Sequence, residues 1–310
     1  MSTVSLARRL LLAASTNARV RERATKTPFV MRSVSRFMPG ERIEDALAAA
    51  SQLHHEGIGA ILTHLGENLT TPDEADEVTR HYLGVLERAS AAGIGAHISI
   101  KLTQLGLDLD PELCRRNLQR LVERGGELNT LVWIDMENAR YVDQTLALFR
   151  HMRERSPWVG IALQAYLYRT EGDLESLLPL GAALRLVKGA YLEAPDVAYP
   201  RKSDVDDNYF RLAVRILGEH DRAGGMLHIA THDSALVDRL GAEIEARRIP
   251  PSYYEFAMLY GIQKTLQRRL VSAGQRVRVL ISYGADWFPW YMRRLAERPA
   301  NVWFVLRNAL

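Results

Sequence analysis

Two adjacent guanidinium groups, Arg293 and Arg294, with Glu297 three residues on, stand near the end of the chain. They follow the strand-like run Arg276-Val277-Arg278-Val279-Leu280-Ile281. Arginine stays charged at any working pH, and its planar fork matches the two oxygens of a carboxylate. Alone, such a pair is usually a solvated basic face. Upstream, however, polar groups recur at the ends of short β-rich runs. They are Thr63-His64-Leu65-Gly66-Glu67, Lys101, Ile134-Asp135-Met136-Glu137, Gln164-Ala165-Tyr166, Arg185-Leu186-Val187-Lys188-Gly189-Ala190-Tyr191, Ala230-Thr231-His232-Asp233 and the stretch Tyr254 to Gly261. Each has a bland account. Lys101 could snorkel to a rim, Asp135 could cap a helix, and His232 could be a structural histidine. Tyr166 and Tyr191 could be core rings. Brought to one mouth, these cations, with Asp135 and Gln164, would suit an anionic ligand with phosphates and a small acid.

The elements that must position them follow from the punctuation. The β-rich runs are Gly57 to Thr63, Gly95 to Leu102, Thr130 to Asp135, Val159 to Gln164, Leu184 to Lys188, Leu227 to Thr231, Tyr254 to Met258 and Val277 to Ser282. Helix-period segments lie between them. Asp73 to Ala92 carries Val78, Tyr82, Leu83 and Leu86 on one face, and Glu112 to Arg124 carries Leu113, Leu118 and Leu121. Asp206 to Ala223 repeats the pattern with Tyr209, Leu212, Ile216 and Leu217. Strand alternating with helix implies a parallel sheet. About eight such units make an α/β fold of the (β/α)8 TIM type, whose catalytic groups sit at the C-terminal strand ends. A doubly wound open sheet is the rival, weakened by the lack of a Gly-x-Gly-x-x-Gly turn after the first strand. Glu41 to His54 reads as a helix preceding the barrel. Residues 41–310 are therefore assigned to the barrel and 1–40 to an N-terminal helical extension.

Composition is that of an ordinary globular chain, 310 residues with 47% hydrophobic and 25% charged. The net charge of +3 is too small to argue for nucleic acid. A single cysteine, Cys114, excludes an internal disulfide and a cysteine-rich metal site, and fits a reducing cytosol. No run reaches the roughly 20 apolar residues of a membrane span. Arg8, Arg9, Arg19, Arg21, Arg23 and Lys26 share the N-terminus with one acidic residue, Glu22. A transit peptide, a basic helix resting on a membrane and a small helical extension all stay open, the last preferred. No metal site is expected. His228 and His232, four apart on a strand, would be separated by roughly 13 Å. Asp135 with His232 is only a partial ligand set, and no nucleophile motif is present.

The ordered strand ends resemble those of the proline dehydrogenases, flavoenzymes built on a (β/α)8 barrel. The resemblance runs from about Arg36 to the C-terminus. It is sharpest at Arg185 to Tyr191, Gln164-Ala165-Tyr166, Ala230-Thr231-His232, Tyr254 to Gly261 and Arg293-Arg294-x-x-Glu297. It implies the short monofunctional bacterial form. It also implies FAD held by Gln164, Arg185, Val187, Lys188, Gly189, Ala190, Thr231 and His232, with Asp135, Met136 and Tyr166 alongside. A cation near the flavin's N1–C2 edge would raise its potential.

By the same resemblance, the carboxylate of L-proline would pair with Lys101, Arg293 and Arg294. Asp135, Tyr191 and Leu259 would line the pocket, Asp135 holding Lys101 or Arg294. Glu67 and Arg293 would form a gate. Hydride would pass from proline C5 to flavin N5, giving Δ1-pyrroline-5-carboxylate, with electrons going on to a quinone. The next step would fall to a separate pyrroline-5-carboxylate dehydrogenase. The implied setting is the cytoplasm, with peripheral attachment to the inner face of the plasma membrane compatible with the basic N-terminus. No base for the amine is assigned. One departure stands out: relatives often carry a tyrosine where this chain has Leu280, so discrimination between proline and hydroxyproline is expected to differ. The runner-up is a Schiff-base aldolase or lyase on the same barrel using Lys101 or Lys188.

Overall fold

The structure, a computed structural model, describes residues 28–66, 69–221 and 225–297. Eight parallel strands close into a barrel in chain order. They are β1 (Gly59–His64), β2 (His97–Ile100), β3 (Val132–Ile134), β4 (Val159–Gln164), β5 (Ala183–Val187), β6 (Met226–Ala230), β7 (Tyr254–Leu259) and β8 (Val277–Tyr283). Six registered pairs between β1 and β8, from Gly59–Arg278 to His64–Tyr283, shut the ring. β1 to β3 start about two residues later than their periodicity suggests. Gly57, Gly95 and Asn129 take left-handed φ values of 75°, 55° and 52°, so the chain is still turning there.

The helices in chain order are α1 (Pro28–Val34), α2 (Ile43–His55), α3 (Pro72–Ala91), α4 (Pro111–Glu127), α5 (Val142–Arg153), α6 (Thr170–Leu177), α7 (Lys202–Leu217), α8 (Ser234–Ala246), α9 (Lys264–Ser272) and α10 (Trp287–Glu297). Local chemistry sets their starts. Thr71 and Glu74 form a reciprocal capping box at α3, and Asp110 caps α4 ahead of Pro111. α7 is displaced from expectation. It begins at Lys202 rather than Asp206 and ends at Leu217, with Gly218 as its C-cap, which puts Lys202 and Asp206 one turn apart on one face.

The strand period of two separates two cores. Outward residues such as Ile98, Ile134, Leu163, Leu186, Ile229 and Ile281 join the helices in a continuous outer core. The interior holds only a small apolar cluster around Ile61, Trp133 and Ala183. Polar groups fill much of the rest. Glu255, 2% exposed, binds Arg276 and Arg278, and its Oε2 lies 3.2 Å from His228 Nε2. His228 also packs 4.2 Å from the Trp133 ring centroid. Burial alone would raise the Glu255 pKa, but the hydrogen bonds from His228 and Arg278 hold it well below the carboxylate range. His228 is pushed down to about 4 by burial, with Glu255 opposing.

The described part of the N-terminal extension is a brace. α1 and the following turn pack Val34 and Met38 against Trp287, Phe288 and Tyr291 of α10. Tyr291 donates to Ser33 Oγ (2.6 Å) and Trp287 Nε1 to Glu41 Oε1 (2.9 Å).

Candidate active site

The C-terminal strand ends surround a cavity of about 470 Å³. Its floor is an ion pair inside the barrel. Arg185, on β5 and 3% exposed, donates to Asp135 just past β3, and its Nη2 lies 2.7 Å from Ser99 Oγ on β2. Ser99 Oγ donates in turn to Asp135 Oδ1 at 2.9 Å. The Trp133 ring lies 5.1 Å from the Arg185 guanidinium carbon. Burial pulls the Arg185 pKa down and Asp135 opposes it. Asp135 is thus a partner of Arg185, a pairing sequence reasoning did not name; the side chain of Arg294, one of the two partners it gave Asp135, lies outside the described residues. Arg185 Nη1 remains buried without a hydrogen-bond partner. The same is true of Gln164 Oε1, whose amide nitrogen donates to the Met136 carbonyl at 3.2 Å.

One wall is the turn after β5. Gly189 has φ 117°, and a Cβ there would collide with the Tyr166 ring, so only glycine brings this backbone to the cavity edge. Tyr166 itself packs behind that turn and is not among the residues bounding the cavity. Val187, Lys188, Ala190 and Tyr191 do bound it, as do Met136, Thr231, His232, Leu259 and Leu280. His232 lies beyond the end of β6, whereas sequence reasoning placed it on that strand with His228. His232 Nε2 accepts from the Leu259 amide at 2.9 Å, which fixes the end of β7 and marks that nitrogen as unprotonated.

At the rim, Lys188 Nζ reaches Asp206 (2.5 Å) and Asp233 (2.9 Å), and Lys202 Nζ binds the same two carboxylates. Partial burial would raise the Asp233 pKa, but the Lys188 hydrogen bond and charge bring it down to about 2. Lys202 is raised above its usual range chiefly by its hydrogen bond to Asp206.

Lys101 is half-buried past the end of β2, where it precedes a short 3₁₀ turn (Leu102–Leu105), and lies outside the cavity lining. Arg293 and Arg294 fall on α10, but their side chains, like the whole of Glu67, lie outside the described residues. Among the described residues no group of three or more potential metal ligands occurs.

The sequence family described as proline dehydrogenase matches residues 46–307. The chain belongs to the proline dehydrogenase family. A proline dehydrogenase of Deinococcus radiodurans is 40% identical over 280 residues, covering 89% of each chain. Proline dehydrogenase 2 of Bacillus subtilis is 36% identical over 277 residues, covering 89% of this chain and 90% of that one. Among solved structures, proline utilization A from Bdellovibrio bacteriovorus gives a TM-score of 0.80 over 86% of this chain and 33% of its own, at 23% identity. That likeness speaks to the barrel alone. Met136, Gln164, Arg185 and His232, from four different strand ends, bound one cavity. Ser99, Lys202 and Asp206 were missed, and Asp233, named at a strand end, was given no role. Ser99 was findable, since it shares the inward parity of His97 on β2.

Proposed function

We propose that this proline dehydrogenase oxidises L-proline to Δ1-pyrroline-5-carboxylate with FAD bound at the barrel mouth. The observation carrying this reading is the pair of buried, unpartnered polar atoms beside the cavity, an acceptor at Gln164 Oε1 and a donor at Arg185 Nη1. A flavin's pyrimidine edge offers both a donor and acceptors, so these residues fit it. Buried polar atoms without partners are costly, and a ligand that satisfies them offsets that cost. Lys188, Thr231 and the backbone of Gly189 and Ala190 would hold the remainder of the cofactor, with Val187, Met136 and His232 in contact. Bound FAD supplies a two-electron acceptor for the hydride from proline C5.

The chain's own residues do the positioning. Lys101, Arg293 and Arg294 would anchor the carboxylate, with Tyr191 and Leu259 as walls, so that C5 faces the cofactor. Glu67 would close on Arg293 and exclude water. The amine must lose its proton first, and no side chain is assigned as its base. Arg185, held in place by Asp135, would offer its guanidinium to the cofactor's edge. Schiff-base chemistry at Lys188 is disfavoured, because its Nζ is engaged by Asp206 and Asp233 and is not free to approach a carbonyl.

A quinone as electron acceptor and a separate chain for the next oxidation complete the reading, as does a cytoplasmic location with peripheral membrane attachment. No helix among the described residues is long and apolar enough to cross a membrane. Vesicle co-sedimentation of the full chain against one starting at Pro28 tests the attachment while leaving α1 whole. The central test is the absorption spectrum of purified protein, which should show a flavin bleached by proline. A colourless protein that binds no added FAD refutes the reading. Arg294→Met should raise KM for proline roughly 10- to 100-fold, the loss of a charge-assisted hydrogen bond.

A further inference from the structure

Between Gly189 and Pro200 the chain forms a strap with no regular secondary structure. It leaves β5, passes over the end of β4 and reaches the β3 side before returning to α7. Its return leg is sewn to the segment after β4. Tyr199 donates its amide to the Tyr166 carbonyl (2.8 Å) and Tyr168 its own to Val197 (3.2 Å). The Tyr168 hydroxyl donates to the Pro195 carbonyl (3.0 Å). The outer leg holds Tyr191, which bounds the cavity, and Leu192, which is 70% exposed and adds no packing. At its tip, Glu193 Oε1 accepts the amide of Ala139 at 2.7 Å. That amide opens a 3₁₀ turn (Ala139–Tyr141) whose own preceding residue, Asn138, provides no side-chain cap. Glu193 therefore caps the turn after β3, two strands away around the mouth, where a carboxylate is electrostatically favoured.

We infer that Glu193 is the latch of this strap and a positioning residue for substrate, holding Tyr191 over the cavity from outside it. The inference rests on the proline-oxidation reading for its consequence, but its geometry stands apart. Without the latch, the leg that carries Tyr191 would lose its tie to the turn after β3. The cost would fall on substrate binding, because the cofactor floor at Arg185 and Gln164 belongs to the rigid strands.

The test uses the full-length holoprotein with three variants. Glu193→Ala removes the acceptor, while Glu193→Gln keeps a carbonyl oxygen in its place. Ala139→Pro removes the donor, at a first-turn position that tolerates proline after an extended residue (Asn138 φ −69°, ψ 165°). The alanine and proline variants should each raise KM for proline roughly 5- to 10-fold with kcat nearly unchanged, the signature of lost binding and not of lost chemistry. The double variant should be no worse than either single one. Glu193→Gln should behave as wild type. Amide exchange in the 189–199 segment should quicken in the alanine and proline variants only. An unchanged KM and exchange rate in Glu193→Ala would overturn the inference. So would a parallel loss of kcat in both Glu193 variants. Should Glu193→Ala not fold, Ala139→Pro decides alone. If wild type itself fails to oxidise proline, the functional reading falls, and amide exchange still decides the latch.

Discussion

Acid should weaken this protein through one buried imidazole more than through any exposed carboxylate. His228 is fully buried, facing Glu255 and Trp133, with His97, Arg278 and Arg185 nearby. Its pKa falls from 6.5 in the unfolded chain to about 4 in the fold. A lowered histidine pKa means the unfolded state takes up the proton first as pH drops. The stability linked to His228 is thus fully present above pH 6.5 and is lost as pH falls towards 4. The loss is about 2 kcal/mol by pH 5 and about 3 kcal/mol by pH 4. Other groups, His64 among them, titrate in the same window, so the assay must be differential. Urea unfolding of wild type and His228→Asn at pH 7 and pH 5 supplies the difference. Arg276 and Arg278 remain to hold Glu255 ionised in the variant. His228→Asn should be less stable at pH 7 but should retain about 2 kcal/mol more of its own pH 7 stability at pH 5. Identical losses in both proteins would refute a neutral, buried His228.

Three further outcomes follow from the site. Asp135→Ala leaves Arg185 buried without its counter-ion and should cost roughly 2–4 kcal/mol in thermal unfolding, somewhat less than a fully buried pair because Asp135 is partly exposed. The combination of Asp135→Leu with Arg185→Met should recover much of that loss. Gly189→Ala should lower the flavin content of purified protein and cost at least about 1 kcal/mol, since both its φ and the Tyr166 ring oppose a Cβ; undiminished flavin content would count against the cradle. Leu280 bounds the cavity, so Leu280→Tyr should shrink that wall. The kcat/KM for hydroxyproline should then fall relative to proline by roughly 10-fold in steady-state kinetics.

The strand ends were legible because a barrel repeats one rule along the chain. Val159–Gln164 has the expected bounds to the residue, and the other strands differ by only a few positions. What stayed hidden depended on pairing across the ring. Asp135 has a charge and a position in sequence, but its partner, Arg185, is two strands away. Whether Lys188 meets carboxylates depends on where α7 begins, and its apolar period did not reveal the extra turn that brings Lys202 and Asp206 to the rim. The strap is invisible to periodicity for the opposite reason, having none. The N-terminal extension was expected to be helical, but nothing in its sequence says what it packs against. Its described helix packs on α10, the helix that carries Arg293 and Arg294.

The charged contents of the lower barrel have a consequence for how the molecule comes apart. Glu255 on β7 touches His228 on β6 and Arg278 on β8, and Arg278 reaches the Ala60 carbonyl on β1 and that of Gly95 ahead of β2. A split along any of the seams these contacts cross would strand an ionised carboxylate in a half-open shell. Partial opening into two half-barrels is thereby penalised, and amides of these strands should become labile only when the whole chain unravels together.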